Sequence, residues 1–271
     1  MQATDLGSVQ KTLLLPLWGR AVETRKPNPM LLDEAAVRII GDVGYDFSTI
    51  AARMSFVTQL AWVARCLHAD RTLRALLSEH PEAAVVNLGC GLDTTFERVD
   101  NGRLRWFDLD LPDVIALRRL FICESERRRF VSASLLETNW LECLDREHLV
   151  FFLALGVLYY IQEDALKSLL TAIADAVPSS QLLFDACSQT GLRIANQRVI
   201  RDGGMSKDAR LVWALENPRE IEGWDKRIAL LESYPLFRGV KRGRSFKEKW
   251  GMLMSDTLRV MSMVHLRIGA H

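Results

Sequence analysis

Two glycines and an acid mark where this chain could do chemistry. Asn87-Leu88-Gly89-Cys90-Gly91 follows an apolar run, AAVVNL, and Asp110 stands nineteen residues after Gly91. Glycines behind a strand let the backbone turn sharply and approach a ligand, with helix-end amides facing polar atoms or an anion. An acid at the end of the next strand, Asp108 or Asp110 in RWFDLD, lies beside such a turn and can accept both hydroxyls of a ribose. Thr94 stands where G-x-G-x-x-G needs its third glycine, so no close pyrophosphate approach is provided for. A nucleoside without phosphates fits better, and S-adenosylmethionine is the common one. The bland alternative is a strand-to-helix turn that holds no ligand.

The elements around the turn point to an α/β sheet. AAVVNL, RWFDLD, FVSAS, LVFFLAL and QLLFDAC read as buried strands, and PDVIALRRLFICES and QEDALKSLLTAIADAV between them read as helices, the second stopping at Pro178. This alternation predicts βαβ units and a mainly parallel sheet covered on both faces. Ahead of it, FSTIAARMSFVTQLAWVARCL places Ile50, Met54, Val57, Leu60, Ala61, Ala64 and Leu67 on one face of a single long helix. Behind it, LRIANQRVIRDG and WDKRIALLESY look helical, and the alternating tail LRVMSMVHLRI reads as a closing strand. The expected division of one domain is a helical cap (1–80), a cofactor-binding core (81–187), an insertion (188–257) and the closing strand (258–271). An insertion before the last strand would lie above the strand ends, where open α/β sheets bind ligands.

Composition narrows the class. The 271 residues are 49% hydrophobic and 25% charged with a net charge of +1, so nothing steers the chain toward nucleic acid or an acidic membrane. The basic runs SERRRF and VKRGRSFKEKW contain or adjoin acids and read as solvated faces. The start, MQATDLGS, has no basic n-region, and the apolar run 13–18 is too short to span a bilayer. Five scattered cysteines without a C-x-x-C pair predict reduced thiols in a cytoplasmic protein, with neither a disulfide frame nor a metal site.

NLGCGLDTTFERVD, WFDLDLPDVIALRR, SASLLETNW and LALGVLYYIQEDALKSLL together resemble the leucine carboxyl methyltransferase family, within it the polyketide O-methyltransferase branch. The resemblance implies a class I S-adenosylmethionine-dependent methyltransferase: a Rossmann-like α/β fold with a mostly parallel seven-stranded sheet and an N-terminal helical cap. It implies that Gly89 and its turn, with Asn87 and Gly91, touch the methionine part of the cofactor. Asp110, or Asp108 in its place, would hold the ribose, and Glu137 with Thr138 would flank the adenine. Arg53 would pair with the methionine carboxylate. Where the family has a glutamate before Gly-Val-Leu-x-Tyr this chain has Leu155, so a polar partner near the methionine end is replaced by an apolar one.

A sulfonium methyl is already activated, so such an enzyme needs positioning and exclusion of water more than a catalytic side chain. No catalytic residue is assigned. A carboxylate acceptor is ionised at neutral pH and needs no base, which suits a chain whose histidines, His68, His80, His148, His265 and His271, form no catalytic pattern. It would need a cation, and Lys11 and Arg20 lie on the segment that caps the family's active site. Tyr159 and Tyr160 follow the fourth strand's exit, where an acceptor could meet the methyl. Trp213 and Trp224 could wall an apolar pocket. The expected acceptor is a small molecule; a protein C-terminus is a second reading, and a cofactor-binding protein without catalysis a third.

Overall fold

A computed structural model describes residues 8–144, 147–197, 210–241 and 243–269, and for residues 8–12, 49, 50 and 53 it describes the backbone alone. Seven strands form one sheet in the order β3-β2-β1-β4-β5-β7-β6. They are β1 (Ala84–Leu88), β2 (Arg105–Asp110), β3 (Arg128–Ser132), β4 (Val150–Ala154), β5 (Ser179–Cys187), β6 (Ile228–Pro235) and β7 (Met261–Gly269). Strands β1 to β5 pair in parallel, while β7 runs antiparallel between β5 and β6. The strand order reverses between β1 and β4, which makes their carboxyl ends the natural ligand crevice.

The pleat divides each strand between two cores. Ala84, Val86, Phe152 and Phe184 pack on one face against Leu166, Leu169 and Ile173 of helix α7 (Glu163–Ala176). Val85, Phe151, Leu153 and Leu183 pack on the other against Leu60, Ala64, Leu73 and Leu76 of helix α4 (Phe56–Glu79). β1 and β4 are buried along their whole length, so their sequences are unbroken apolar runs except for Asn87.

The remaining elements cover the crevice. Helix α1 (Ser8–Thr24) packs Leu14, Leu17 and Ala21 on Ala36, Ile39 and Ile40 of helix α2 (Glu34–Asp42). Asp33 caps α2 by accepting from the Ala36 N–H at 2.9 Å. The single helix expected over 47–67 is instead two, α3 (Ser48–Arg53) and α4. Ser55 is extended, and its hydroxyl accepts from the Thr58 N–H at 3.2 Å, so it starts a new helix where apolar spacing alone continued the old one. Helices α5 (Thr95–Val99) and α6 (Pro112–Arg118) follow β1 and β2. Helix α8 (Gln189–Ala195) follows β5, and helix α9 (Phe246–Thr257) precedes β7.

β6 overturns another expectation. Its residues, part of WDKRIALLESY, carry helix-forming Ala, Leu and Glu, yet they form the edge strand that pairs with β7 from Ile228 to Pro235. Pairing with an already buried partner outweighs a weak local preference.

Candidate active site

The carboxyl ends of β1, β2 and β4 and the end of β5 border a cavity of about 700 Å³, walled also by Leu13, Leu15 and Pro16 of α1, Trp62 of α4 and Met254 of α9. Its lining is mainly apolar, and its polar groups come from the strand ends. Gly89 and Gly91 turn at φ of 62° and 46°. A Cβ on Gly89 would stand 2.1 Å from Val157 Cγ2, so a side chain there would fill the passage between the turn and the segment after β4.

Asp110 ties that turn to the next strand. The Gly91 N–H donates to its Oδ2 at 2.7 Å and the Leu111 N–H to its Oδ1 at 2.8 Å. Each oxygen keeps acceptor capacity for a ligand hydroxyl. Burial pushes the Asp110 carboxyl above its usual range, against the pull of these two N–H groups. Beside it Ala133, Ser134, Leu135 and Leu136 line the cavity beyond β3 as a largely apolar shelf. A two-oxygen acceptor at the tip of β2, a shelf for a base and a cradle that a Cβ would close together fit the nucleoside half of S-adenosylmethionine.

The paired acids of RWFDLD have different roles. Asp108 is fully buried and does not line the cavity. Its Oδ1 accepts from Trp106 Nε1 at 2.8 Å and Asn87 Nδ2 at 3.2 Å, and its Oδ2 from Arg118 Nη2 at 2.9 Å and Arg128 Nε at 2.8 Å. It is saturated by its neighbours, whereas Asp110 lines the cavity with acceptor capacity to spare. Asn87 lines the cavity, its amide held between Asp108 and Asp93. Asp93 also lines the cavity and was missed by the sequence reading, although it stands in the G-C-G-L-D-T motif. It accepts from the Thr95 N–H at 3.0 Å and hydroxyl at 3.1 Å. Burial would raise its pKa, but Arg20 and Arg98 with those Thr95 bonds hold it below the usual range.

Several expected residues stand elsewhere. Glu137 is exposed, and neither it nor Thr138 lines the cavity, because a backbone turn (Glu137 N–H to Ser134 O, 3.0 Å) carries the chain past it. Arg20 borders the cavity, but its Nε donates to Asp33 Oδ2 at 2.8 Å and its Nη2 to Leu92 O at 3.0 Å. Its charge is countered by Asp33 within a buried network, which corrects the expectation of a free acceptor cation. Arg53 ends α3 and Lys11 lies in α1, and both side chains fall outside the described residues. Leu155 lines the cavity and packs against the cluster of Leu31, Val63 and Cys66. Trp213 and Trp224 pack in the core with Phe184 rather than lining the cavity.

The end of the cavity at β4 and β5 holds a group that sequence reading did not single out. Arg65 of α4 is buried, and its Nη1 donates to Tyr159 Oη at 3.2 Å and to Asp185 Oδ2 at 3.4 Å. The other Asp185 oxygen accepts from the Gly156 N–H at 2.6 Å. Tyr159 is buried and Tyr160 is 40% exposed, and both line the cavity. A signal was available: Arg65 falls four residues after Ala61 and next to Ala64, on the flank of the apolar face. Among the described residues no metal-binding cluster is present, and no helix is long and apolar enough to cross a membrane.

Comparison with known proteins identifies the family and the fold. The sequence is 31% identical over 267 residues to the tetracenomycin polyketide synthesis O-methyltransferase TcmP of Streptomyces glaucescens, covering 98% of this chain and 91% of that one. It is 30% identical to the S-adenosyl-L-methionine-dependent methyltransferase dpfgK of Gibberella zeae, over 80% of this chain and 78% of the relative. A DUF574 family protein of Streptomyces avermitilis shares the fold with a TM-score of 0.61 at 13% identity, covering 96% of this chain and 97% of that one. A candidate methyltransferase of Thermobifida fusca does so with a TM-score of 0.59 at 17% identity, over 93% and 94% of the two chains. The profile of the family described as leucine carboxyl methyltransferase matches residues 14–174. With the glycine turn, Asp110 and the seven-stranded sheet in place, the chain belongs to the leucine carboxyl methyltransferase family of S-adenosylmethionine-dependent enzymes.

Proposed function

We propose that the protein is an O-methyltransferase that esterifies a carboxylate of an apolar small molecule. The observation that carries this reading is what the described cavity lining offers a nucleophile: mainly apolar walls, Arg20 and Arg65, and no histidine, the lining carboxylates Asp93 and Asp110 being bonded at the glycine turn. Burial pushes the thiols of Cys66 and Cys90 up, raises Cys187 to about 12, and raises the Tyr159 phenol as well, so these groups stay protonated at neutral pH. His68 bonds the Leu236 carbonyl and His265 the Gln181 side chain, neither of them in the cavity lining. A phenol or alcohol would have to lose its proton to a base, whereas a carboxylate arrives ionised. The relative TcmP is an O-methyltransferase of polyketide synthesis, which supports an oxygen acceptor on a small molecule.

Bound at the turn, the cofactor supplies a sulfonium methyl that needs no further activation. This chain's residues would orient the two reactants and exclude water. The balance is one C–O bond formed and one C–S bond broken, giving a methyl ester and S-adenosylhomocysteine with no proton transfer. A cavity of about 700 Å³ falls within the range of pockets for small molecules.

The test is a panel of aromatic carboxylic acids and matched phenols incubated with methyl-labelled cofactor, followed by mild alkali. The label should be released as methanol from an ester, and the rate should stay flat from about pH 6 to 9 because an ionised acid has no proton left to lose. A label that survives alkali, or a rate that climbs with pH, would refute the carboxylate acceptor.

A further inference from the structure

Three features mark Arg65 as unusual among the buried charges. Its side chain lies in the apolar cavity, its Nε is buried without any hydrogen-bond partner, and its Nη2 has none among the described residues. Arg118 also has a buried Nε without a partner, but its other nitrogens and those of Arg98 are better served. Arg118 reaches the Gly91 and Asp93 carbonyls and the Asp108 carboxylate at 2.8, 2.8 and 2.9 Å, and Arg98 grips Asp70 with two nitrogens at 2.9 and 3.0 Å. Arg65 has one carboxylate contact at 3.4 Å, to an aspartate whose other oxygen is held by Gly156. A buried guanidinium with open donors is costly unless a second anion completes it.

Its position says which anion. Asp110 ends β2, the glycine turn follows β1, Gly156 follows β4 and Asp185 is on β5. Strands lie about 4.8 Å apart, so the end of β4 is roughly 10 Å across the sheet from the ribose-binding carboxylate. A Cβ on Gly156 would stand 2.5 Å from Arg65 Nη1, so the guanidinium rests directly on the backbone after β4. A nucleoside anchored at β2 with its methionine part on the β1 turn directs its methyl toward this end. The walls beyond it, Ile194 of α8, Leu211, Met254 and Met261, are apolar.

We infer that Arg65 is the acceptor-binding cation: its unpartnered Nη2 donates to the acceptor's carboxylate, while Ile194, Leu211 and Met261 hold an apolar body behind it. Asp185 and Tyr159 are positioning residues that fix the guanidinium through Nη1. The substrate class is therefore an apolar carboxylic acid. This inference rests on the carboxylate reading proposed above and supplies the cation that Arg20 does not provide.

The experiment titrates the full-length protein, saturated with S-adenosylhomocysteine, with anthracene-2-carboxylate and with its neutral match, anthracene-2-carboxamide. The wild type should bind the acid at least about tenfold more tightly than the amide, the difference expected of a charge-assisted hydrogen bond. Arg65→Gln should erase that preference while changing S-adenosylhomocysteine affinity by less than about twofold. Arg65→Lys keeps the charge without the planar fork and should retain only part of the preference, and it serves as the readout where the glutamine variant does not fold. A wild type that binds the acid no better than the amide overturns the assignment. So does a full acid preference in either variant, or a Gln variant whose loss falls on S-adenosylhomocysteine, because the arginine would then serve the cofactor's carboxylate. The alkali test on the wild-type product remains separate. An alkali-stable product defeats the esterification reading whatever Arg65 binds, and an ester product with an unaltered preference in Arg65→Gln defeats the Arg65 assignment alone.

Discussion

Replacing Gly89 by alanine challenges the glycine turn at its tightest point. The new Cβ would lie 2.1 Å from Val157 Cγ2 and 3.2 Å from Val157 Cβ and Cγ1, at a backbone φ of 62°. The left-handed conformation costs an alanine about 1–2 kcal/mol. Forcing Val157 aside adds about 1–3 kcal/mol, the usual range for overpacking. Gly89→Ala should therefore lose about 2–5 kcal/mol, the sum of those two ranges. In a Val157→Ala background both Cγ contacts vanish and only the 3.2 Å approach to Cβ remains. There the same substitution should cost only the backbone share, about 1–2 kcal/mol, leaving a coupling of about 1–3 kcal/mol between the sites. Urea unfolding of the wild type, both single variants and the double variant measures this, provided the m-values agree. Strictly additive costs, or a Gly89→Ala loss below about 1 kcal/mol, would show that the turn does not press on Val157 and would refute the geometry.

Two further predictions separate binding from support. Asp110→Ala should weaken S-adenosylhomocysteine binding about ten- to a hundredfold by calorimetry, as one or two charge-assisted bonds are lost, whereas Asp108→Asn should leave the folded protein's affinity nearly unchanged but lower stability by about 3–5 kcal/mol, because Arg118 and Arg128 lose their buried counter-charge. Equal effects of the two variants on affinity would overturn the division of roles. Acid sensitivity should centre on Asp33: burial would raise its carboxyl, but Arg20 and Arg98 with the Thr94 hydroxyl and Ala36 N–H hold it below the ordinary range. A carboxyl depressed in the folded state contributes fully above its unfolded value, about 3.9, and the contribution is lost as pH falls from there through the folded value. The urea-midpoint gap between wild type and Asp33→Asn should thus be constant near pH 6 and narrow below about pH 4; a gap that stays constant to pH 3 would count against the buried network.

How much was legible beforehand depended on the range of the interaction involved. The apolar runs of β1, β2, β4 and β5, the helix α7 and the G-x-G turn are local patterns, and so is the offset from Gly91 to Asp110. Burial and periodicity act on neighbouring residues, so these elements could be read from the chain alone. The same local logic failed at Ser55, where one hydroxyl bond to Thr58 outweighs a continuing apolar stripe, and at β6, whose strand character comes from pairing with β7.

The site shows the same division. Asp108 and Asp110 point to one side of β2 and are indistinguishable by type or period. Two residues of strand, about 6.6 Å, put the first beneath the cavity among Asn87, Trp106, Arg118 and Arg128 and leave the second at its rim. Arg20 looked free because Asp33 lies thirteen residues away, at the cap of another helix. Arg65 went unnoticed because Asp185 is 120 residues distant in the chain and meets it only across the end of the assembled sheet. A sequence states which charges a chain contains, but a charge's role depends on its partners and its depth, because the strength of an ionic contact depends on separation in space and on exclusion of water. Here those two quantities exist only once α4, β4 and β5 have packed.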